Sequence, residues 1–248
     1  MEYIISHKSV AALVRTTIEN QDSYGIYHVA NWGSKNKDID TIIAVSDGMG
    51  GLNDPAEASY LAVKNSINFL LNLQNSITSK NLATAIVKAN DLILGEAKGR
   101  DLGATLTLIH LSNDMLQFSH IGDCRLFLIR NGEVKILTED HTKLAKKLGI
   151  TNPSLKEVKE NPASKKLSKS LGEKEFTDDY LQSTELPIIL KNGDTLILCT
   201  DGVWTELEPL ELQQLINENP YNAANNIIST SVERDNTDDS TVIVVKAV

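Results

Sequence analysis

The 248-residue sequence predicts an α+β fold in which antiparallel sheets pack face to face, with helices on the outside. Three observations lead to this prediction. Strand-like apolar runs dominate the middle of the chain and also occur near both ends. Asn-Gly pairs separate some of these runs. Helical stripes are confined to two regions, one after the first strands and one before the last. No Pro-, Ser- or Gly-rich linker, low-complexity run or internal repeat divides the chain, so we expect one domain spanning residues 1–248.

The first part of the chain predicts two extended segments followed by two helices. Residues 24–30 and 41–46 are strand-like, and the second run ends in Asp47-Gly48-Met49-Gly50-Gly51. Apolar residues then recur at spacings of three and four, which is typical of amphipathic helices. They are Ala56, Tyr60, Val63, Ile67 and Leu70, and then Leu82, Ile86, Ala89 and Ile93. We expect Ser79 to cap the second helix and Gly95 or Gly99 to end it.

The second part predicts mostly strands. Residues 104–111, 115–121, 125–130 and 133–137 form an expected antiparallel meander, with Asn131-Gly132 as a hairpin turn. A polar, lysine-rich segment follows, in which Pro153 and Pro162 interrupt any long helix. Asn192-Gly193 turns into a strand over 195–200. Two helices, one opening at Pro209 and one over 224–231, precede a last strand over 241–246.

Composition excludes several classes of function. Lys plus Arg number 24 against 33 Asp plus Glu, and the formal charge of -9 argues against nucleic acid as a partner. No secretion signal and no run of membrane-spanning length occurs, so we expect a cytoplasmic protein with no membrane association. Cys124 and Cys199 lie in apolar runs and are expected to be reduced core thiols.

Three carboxylates at strand boundaries suggest a metal site. Asp47, Asp201 and Asp238 each follow or precede a predicted strand, although each could also be an ordinary turn residue. If the strands are neighbours, the three charges would repel one another unless cations lay between them. A site of oxygen ligands without nearby Cys or His favours Mg²⁺ or Mn²⁺ over zinc.

Eight motifs, in order, carry a family resemblance over roughly residues 20–245. They are Asn20-Gln21-Asp22, Asp47-Gly48-Met49-Gly50-Gly51, Gly103-Ala104-Thr105, Ile121-Gly122-Asp123-Cys124-Arg125, Leu137-Thr138-Glu139-Asp140-His141-Thr142, Ser170-Leu171-Gly172, Cys199-Thr200-Asp201-Gly202 and Asp238-Asp239-Ser240-Thr241. In this order and spacing the chain resembles the metal-dependent serine/threonine protein phosphatases of type 2C, in their bacterial single-domain form. The resemblance implies an α-β-β-α sandwich of two antiparallel sheets with a two-metal centre at one end.

The resemblance also implies roles for individual residues. Asp47 would bridge both metals, Gly48 would give its carbonyl to one of them, and Asp201 and Asp238 would hold the other. Asp123 would help to bind a third, weaker ion, and Asp22 would act through metal-bound water. The cofactors would be two Mg²⁺ or Mn²⁺ ions per site, with a third in some relatives.

The implied activity is hydrolysis of phosphoserine and phosphothreonine monoesters. A water that bridges two dications has a depressed pKa, so a metal-bridging hydroxide can attack phosphorus in line. The implied partners are phosphoproteins, including a serine/threonine kinase or its substrates, and the protein is expected to be a monomer.

Three departures from the family pattern limit what carries over. Gln21 stands where many relatives have Glu. Thr17 occupies the usual place of a phosphate-binding arginine. Arg15, two residues upstream, either binds the substrate phosphate by way of a bulged backbone or is a surface residue. Met49 replaces the histidine that protonates the leaving group in animal relatives. The alternative function is a pseudophosphatase, a regulatory binding module that keeps the fold.

Two further patterns have competing interpretations. Cys124 and Arg130 satisfy the C-x5-R spacing of cysteine-dependent phosphatases, but the residues between them predict a strand and not a phosphate-binding loop. The resemblance implies a flap at about residues 142–180, and between Lys143 and Lys174 this segment carries nine lysines against three acids. The flap either attracts acidic phosphoprotein or is a solvated loop.

Overall fold

The computed structural model describes residues 1–12, 19–30, 39–73, 76–161, 166–217, 219–234 and 236–248. Its strands are β1 (Tyr3–Val10), β2 (Asp22–Ala30), β3 (Ile39–Asp47), β4 (Leu106–Ser112), β5 (Met115–Ile121), β6 (Arg125–Arg130), β7 (Glu133–Ile136), β8 (Gln182–Ser183), β9 (Ile188–Ile189), β10 (Thr195–Cys199) and β11 (Ser240–Ala247). Its helices are α1 (Pro55–Leu71), α2 (Ser79–Ala97), α3 (Lys143–Leu148), α4 (Leu155–Glu160), α5 (Asp201–Trp204), α6 (Pro209–Asn217) and α7 (Ala223–Val232).

The strands form two antiparallel sheets. One has the order β1-β11-β10-β6-β7, and the other has the order β2-β3-β4-β5-β8, with β9 also paired to β5. The sheets face each other across an apolar layer that includes Ile43, Leu126 and Ile243. The neighbours of Ile43, Ile42 and Ala44, instead face α1 and α2, because successive side chains of a strand point to opposite sides.

Helices cover the two outer faces. The helices α1 and α2 pack on the sheet that contains β3, whereas α5, α6 and α7 pack on the sheet that contains β10 and β11. The predicted α-β-β-α sandwich is therefore confirmed. No helix among the described residues is long and apolar enough to cross a membrane.

The expected meander is wrong at one connection. The hairpin β4-β5 belongs to one sheet and the hairpin β6-β7 to the other, so the chain crosses between sheets at Gly122–Cys124. Gly122 has φ +107°, and a Cβ there would lie 2.5 Å from the side chain of Thr105. The crossing therefore needs glycine for both its conformation and its close packing.

The structure confirms the predicted hairpin turn, but it differs from two predictions about the first two helices. Asn131 and Gly132 both have positive φ, at 52° and 84°, as a hairpin turn of this kind requires. The second helix is capped by Thr78, one residue before the expected Ser79, because Thr78 forms a reciprocal capping box with Asn81. In the first helix Tyr60 is 54% exposed, and the buried face uses small residues instead.

The flap segment is tied down at its base. It holds α3, α4 and a short 3₁₀ helix over Asp178–Tyr180, with Pro153 between α3 and α4. Residues 162–165, including Pro162, lie outside the described residues. On either side of them, the Lys143 N–H donates to the Lys166 carbonyl at 2.8 Å and the Ser168 N–H donates to the His141 carbonyl at 2.8 Å. These bonds fix the flap's base beside the ends of β5 and β6.

Candidate active site

Asp47 ends β3 at one end of the sandwich. It lies opposite Asp22 in the antiparallel register of β2 and β3. Its backbone N–H donates to Thr105 Oγ1 at 2.8 Å, and its carbonyl accepts from the Thr105 N–H at 2.8 Å. These bonds hold the backbone of Asp47 at a fixed point at the mouth of the sheet.

Gly48 is required by close packing. A Cβ at this position would lie 2.0 Å from the Pro55 carbonyl oxygen and 2.9 Å from the Gln21 carbonyl oxygen. The Gly48 N–H donates to that same Gln21 carbonyl at 3.0 Å. The backbone at Gly48 is therefore pressed between the start of α1 and the segment before β2, where no side chain fits.

Asp201 and Asp238 reach the same end of the sandwich from adjacent strands. Asp201 opens α5 directly after β10, and Asp238 lies just before β11, which pairs with β10. Both line one pocket of about 220 Å³. The other lining residues are Gln21, Asp47, Gly48, Met49, Gly50, Thr105, Asp123 and Leu167. Five of the six sequence-predicted site residues that are described meet in this pocket, and the sixth, Asp22, adjoins Asp47.

The electrostatics confirm that the carboxylates are close to one another. The pKa of Asp47 is raised well above its usual range, first by burial and then by the charges of Asp22, Asp201, Asp123 and Asp238. Without a counter-ion, the pocket therefore favours the protonated form of this carboxyl group. The isolated turn residues considered as an alternative would not perturb one another in this way.

Asp22 has one satisfied and one unsatisfied oxygen. Its Oδ2 accepts a hydrogen bond of 2.8 Å from the Thr200 hydroxyl. Its Oδ1 is buried and has no hydrogen-bond partner within the described part of the chain. Burial, followed by the charges of Asp239 and Asp201, raises the pKa of Asp22 to about 8. A buried, unsatisfied carboxylate oxygen is costly, and it marks a place for a water or an ion.

Asp123 lies on the connection that crosses between the sheets. Its carbonyl accepts from Trp204 Nε1 at 2.9 Å. The guanidinium of Arg125 stacks on the Trp204 ring at 3.7 Å and binds both carboxylate oxygens of Asp140. Burial, and then the charge of Asp201, raises the pKa of Asp123 well above its usual range. A buried cation and an aromatic ring thus position this acidic turn.

His141 connects the flap's base to the same turn. The ring Nδ1 of His141 accepts a hydrogen bond of 3.1 Å from the Gly122 N–H. The backbone N–H of His141 donates to the Gly122 carbonyl at 2.7 Å. Burial lowers the pKa of His141 to about 4, so the ring is neutral and can accept this bond near neutral pH. His141 therefore helps to fix this turn.

Sequence reasoning assigned no role to Asp239. This carboxylate is buried, and it accepts hydrogen bonds of 2.7 Å from the backbone N–H groups of Ala12 and Gln21. It therefore clasps the two ends of the segment that contains Arg15. The sequence contained one signal, the Asp238-Asp239 pair, because neighbouring residues at the start of a strand face different sides.

Arg15 itself lies outside the described residues, as does Thr17. The competing cysteine-phosphatase interpretation does not fit the structure. Cys124 is fully buried, and burial followed by the charge of Asp47 raises the pKa of its thiol well above the usual value. Arg130 is engaged instead by Asp194, with Nε 2.9 Å from Oδ1. Neither residue is available to a phosphate ester.

The pocket's donors suit a hard cation that retains water. Among the described residues, no three His, Cys, Asp or Glu side chains lie close enough to hold an ion by themselves. The carboxylates of Asp47, Asp123, Asp201 and Asp238 and the backbone at Gly48 nevertheless line one cavity. Mg²⁺ and similar ions bind through a few carboxylates and keep several waters, so this donor set fits them.

The sequence is similar to a known family and to characterised members of it. The family model for protein phosphatase 2C matches residues 12–233. The serine/threonine phosphatase Stp of Listeria monocytogenes serotype 4b is 24% identical over 239 residues, covering 87% of this chain and 90% of that protein.

Solved structures share the fold. The serine/threonine phosphatase of S. agalactiae superposes with a TM-score of 0.83 at 22% identity and covers all of both chains. The catalytic domain of the phosphatase PstP, solved with two manganese ions, has a TM-score of 0.76 at 24% identity over 98% of this chain and 97% of that one. Since the family model covers most of the sequence, this chain belongs to the protein phosphatase 2C family.

Proposed function

We propose that the protein is a metal-dependent phosphatase that hydrolyses phosphoserine and phosphothreonine monoesters in proteins. The observation that carries this proposal is that Asp47, Asp123, Asp201 and Asp238 line one pocket at the mouth of the sandwich. Burial and the neighbouring charges raise the pKa of Asp47 accordingly. Cations in the pocket would offset the repulsion between these carboxylates and keep them ionised at neutral pH.

The proposed ligands are those expected from the family motifs. Asp47 would hold both cations, Gly48 would give its carbonyl to one of them, Asp201 and Asp238 would hold the other, and Asp123 would help to hold a third, weaker one. When bound, two dications lower the pKa of water to give a bridging hydroxide nucleophile, and they neutralise charge on the phosphoryl oxygens. The relative with two manganese ions and the oxygen-rich donor set support Mg²⁺ or Mn²⁺.

The chain's own side chains position the proposed nucleophilic water and Asp47, and they determine where the leaving group can obtain a proton. Thr200 holds Oδ2 of Asp22, which leaves Oδ1 to orient a water near Asp47. Thr105 fixes the backbone of Asp47. Met49 lines the pocket and has no proton to give, so the leaving alkoxide takes its proton from water or another acid.

The proposed substrates are phosphoproteins, including a serine/threonine kinase or the proteins that such a kinase phosphorylates. The family assignment and the lysine-rich flap support this class. We also propose that residues 1–248 act as one domain, because the two sheets share a single apolar layer. We propose, in addition, that the protein is a monomer.

A second candidate, a regulatory binding module without turnover, is favoured by one observation. Gln21 lines the pocket where many relatives carry a charge, and a neutral amide weakens attraction for the adjacent cation. Retention of Asp47, Asp201 and Asp238 argues for catalysis instead.

The two candidates are separated by phosphate release from a phosphothreonine peptide in EDTA, Mg²⁺ or Mn²⁺. Wild-type protein is expected to act only with metal, and Asp201→Asn to be inactive. The matched control is Asp91→Asn, which changes an exposed carboxylate on α2 and should retain full activity. If folded wild-type protein releases no phosphate with any of these metals, the binding module is favoured.

A further inference from the structure

A groove leads away from the acidic pocket. Its volume is about 480 Å³, compared with about 220 Å³ for the pocket itself. Met49 lines both cavities. A ligand whose reacting group lies in the pocket can therefore continue into the groove past Met49.

The floor of the groove is apolar. Leu52, Leu94 and Leu171 line it, and Leu52 is 38% exposed. The groove runs between the end of α2 and the stretch Ser170–Lys174, which follows the flap. An open apolar floor beside a polar reaction centre is suited to hold a side chain next to the reacting group.

Backbone bonds fix the walls. The Met49 N–H donates to the Gly103 carbonyl at 2.9 Å, and the Leu171 N–H donates to the Ala104 carbonyl at 2.8 Å. The buried side chain of Asn90 on α2 accepts from the Gly172 N–H at 2.7 Å and donates to the Glu173 carbonyl at 3.0 Å. The groove is therefore preformed, which lowers the entropic cost of binding.

Two glycines keep the groove open. A Cβ at Gly172, which has φ +93°, would lie 1.9 Å from the Leu102 carbonyl oxygen. A Cβ at Gly103 would lie 2.7 Å from Met49 Sδ and 2.8 Å from Leu52 Cδ1. Side chains at either position would displace the residues that form the groove.

The charges around the groove argue against an anionic occupant. The guanidinium of Arg100 lies 2.6 Å from both Asp54 and Glu57, so these carboxylates already neutralise it. Asp101, Glu173 and Lys174 are exposed at the rim, which therefore carries two negative charges and one positive charge. The excess of one negative charge disfavours a second phosphate group there, whereas an apolar or neutral segment meets no such repulsion.

We infer that this groove binds the substrate polypeptide beside its phosphorylated residue, with an apolar side chain seated on Leu52 and Leu94. The inference rests on the proposed function, because it assumes that the phosphate lies in the acidic pocket. It adds a selectivity that the metal centre alone cannot provide: phosphoproteins with an apolar neighbour of the phosphorylated residue are preferred.

The test uses phosphothreonine peptides of one length in which Leu or Ser is placed at each neighbouring position in turn, with p-nitrophenyl phosphate as a small substrate. Wild-type protein is expected to prefer Leu to Ser at one position by about tenfold in kcat/KM. In Leu52→Ala/Leu94→Ala this ratio should fall below about threefold, while the small substrate changes by less than about twofold. Leu52→Ala alone, at a partly exposed site, gives the same test if the double variant folds poorly.

A matched control removes two exposed leucines outside the groove, Leu92 and Leu186. Leu92→Ala/Leu186→Ala should retain the wild-type preference. An undiminished preference in the groove variant, or no preference at any position in active wild-type protein, would overturn the inference while leaving the proposed function intact. Wild-type protein inactive on both the small substrate and the peptides would instead refute the proposed function, and the inference with it.

Discussion

Asp22 and Asp47 lie directly opposite each other on adjacent antiparallel strands, and burial together with the charge of Asp22 raises the pKa of Asp47. Two ionised carboxylates would not be placed in this register for stability alone, because their repulsion and desolvation oppose folding. The pairing is understandable if cations complete the site. The carboxylates of Asp22 and Asp47 thus lower the stability of the folded protein at the place where the proposed chemistry needs negative charge.

A pH dependence of stability follows from this relationship. The pKa of Asp22 is raised to about 8 in the folded protein. A raised folded-state pKa contributes stability at low pH that is lost as the pH rises through that value. In EDTA, Asp22→Asn should therefore melt at a higher temperature than wild-type protein, by a margin that grows between pH 5 and pH 8.

Melting temperatures of the two proteins at several pH values would check this, since contributions from His120 and His141 cancel in the difference. Asp91→Asn, at an exposed carboxylate, should show no growing margin. A margin for Asp22→Asn that stays constant or shrinks toward pH 8 would contradict the electrostatic account.

Gly48→Ala should distort the segment between β3 and α1. The new Cβ would meet the Pro55 carbonyl oxygen at 2.0 Å, so the loop or the start of α1 must move. We expect a loss of about 1–3 kcal/mol in the free energy of unfolding, together with a large loss of metal-dependent activity. Urea unfolding and p-nitrophenyl phosphate hydrolysis measure the two effects. Gly95→Ala, in α2 with open space around it, should instead stabilise by up to about 1 kcal/mol and leave activity unchanged.

Asp239→Asn should weaken the clasp on the segment that contains Arg15. An amide offers only one acceptor oxygen, whereas the N–H groups of Ala12 and Gln21 each require one. The expected result at saturating Mn²⁺ is a rise in KM of about fivefold or more with a smaller change in kcat, since a lost buried hydrogen bond costs about 1–3 kcal/mol.

Asp194 provides the matched comparison. It is also a buried carboxylate that accepts from a backbone N–H, that of Lys191, but it lies outside the pocket lining. Asp194→Asn should lower the melting temperature without changing KM. Similar KM changes in both variants, or a kcat defect alone in Asp239→Asn, would argue against a positioning role for Asp239.

Much of the fold follows from local patterns in the sequence. The β6-β7 hairpin was predictable because Asn131-Gly132 takes the positive φ values that such a turn needs. The split of the meander between two sheets was not, because alternation of apolar and polar residues does not identify a strand's neighbours. The short helix α5 was missed because four residues carry too little periodicity.

The candidate site was predictable to a similar degree. Asp47 and Asp201 were identifiable because each follows an apolar strand and precedes glycine. Asp239 was missed because its role depends on backbone groups more than 200 positions away in the chain. Its buried position became evident only once the sheets had brought these segments together.

The lysine-rich flap should act on protein substrates more than on small ones. Lys143, Lys146, Lys147 and Lys156 are exposed in and beside α3 and α4. Changing all four to Gln should raise KM for an acidic phosphoprotein about threefold or more at low salt, with little change for p-nitrophenyl phosphate. Steady-state kinetics at two ionic strengths would check this, because the effect should shrink at high salt. Equal changes for both substrates would show that the flap's charge has no role in substrate attraction.

The most direct test of the metal centre is calorimetric titration of Mn²⁺ into wild-type protein and Asp47→Asn, with p-nitrophenyl phosphate hydrolysis measured on the same samples. We expect wild-type protein to bind two ions and to be active only with them. Asp47→Asn should bind Mn²⁺ more weakly and lose at least about 100-fold in kcat, because the lost charge stabilises both ions. Activity of wild-type protein in EDTA, or unchanged Mn²⁺ binding and turnover in Asp47→Asn, would contradict the account.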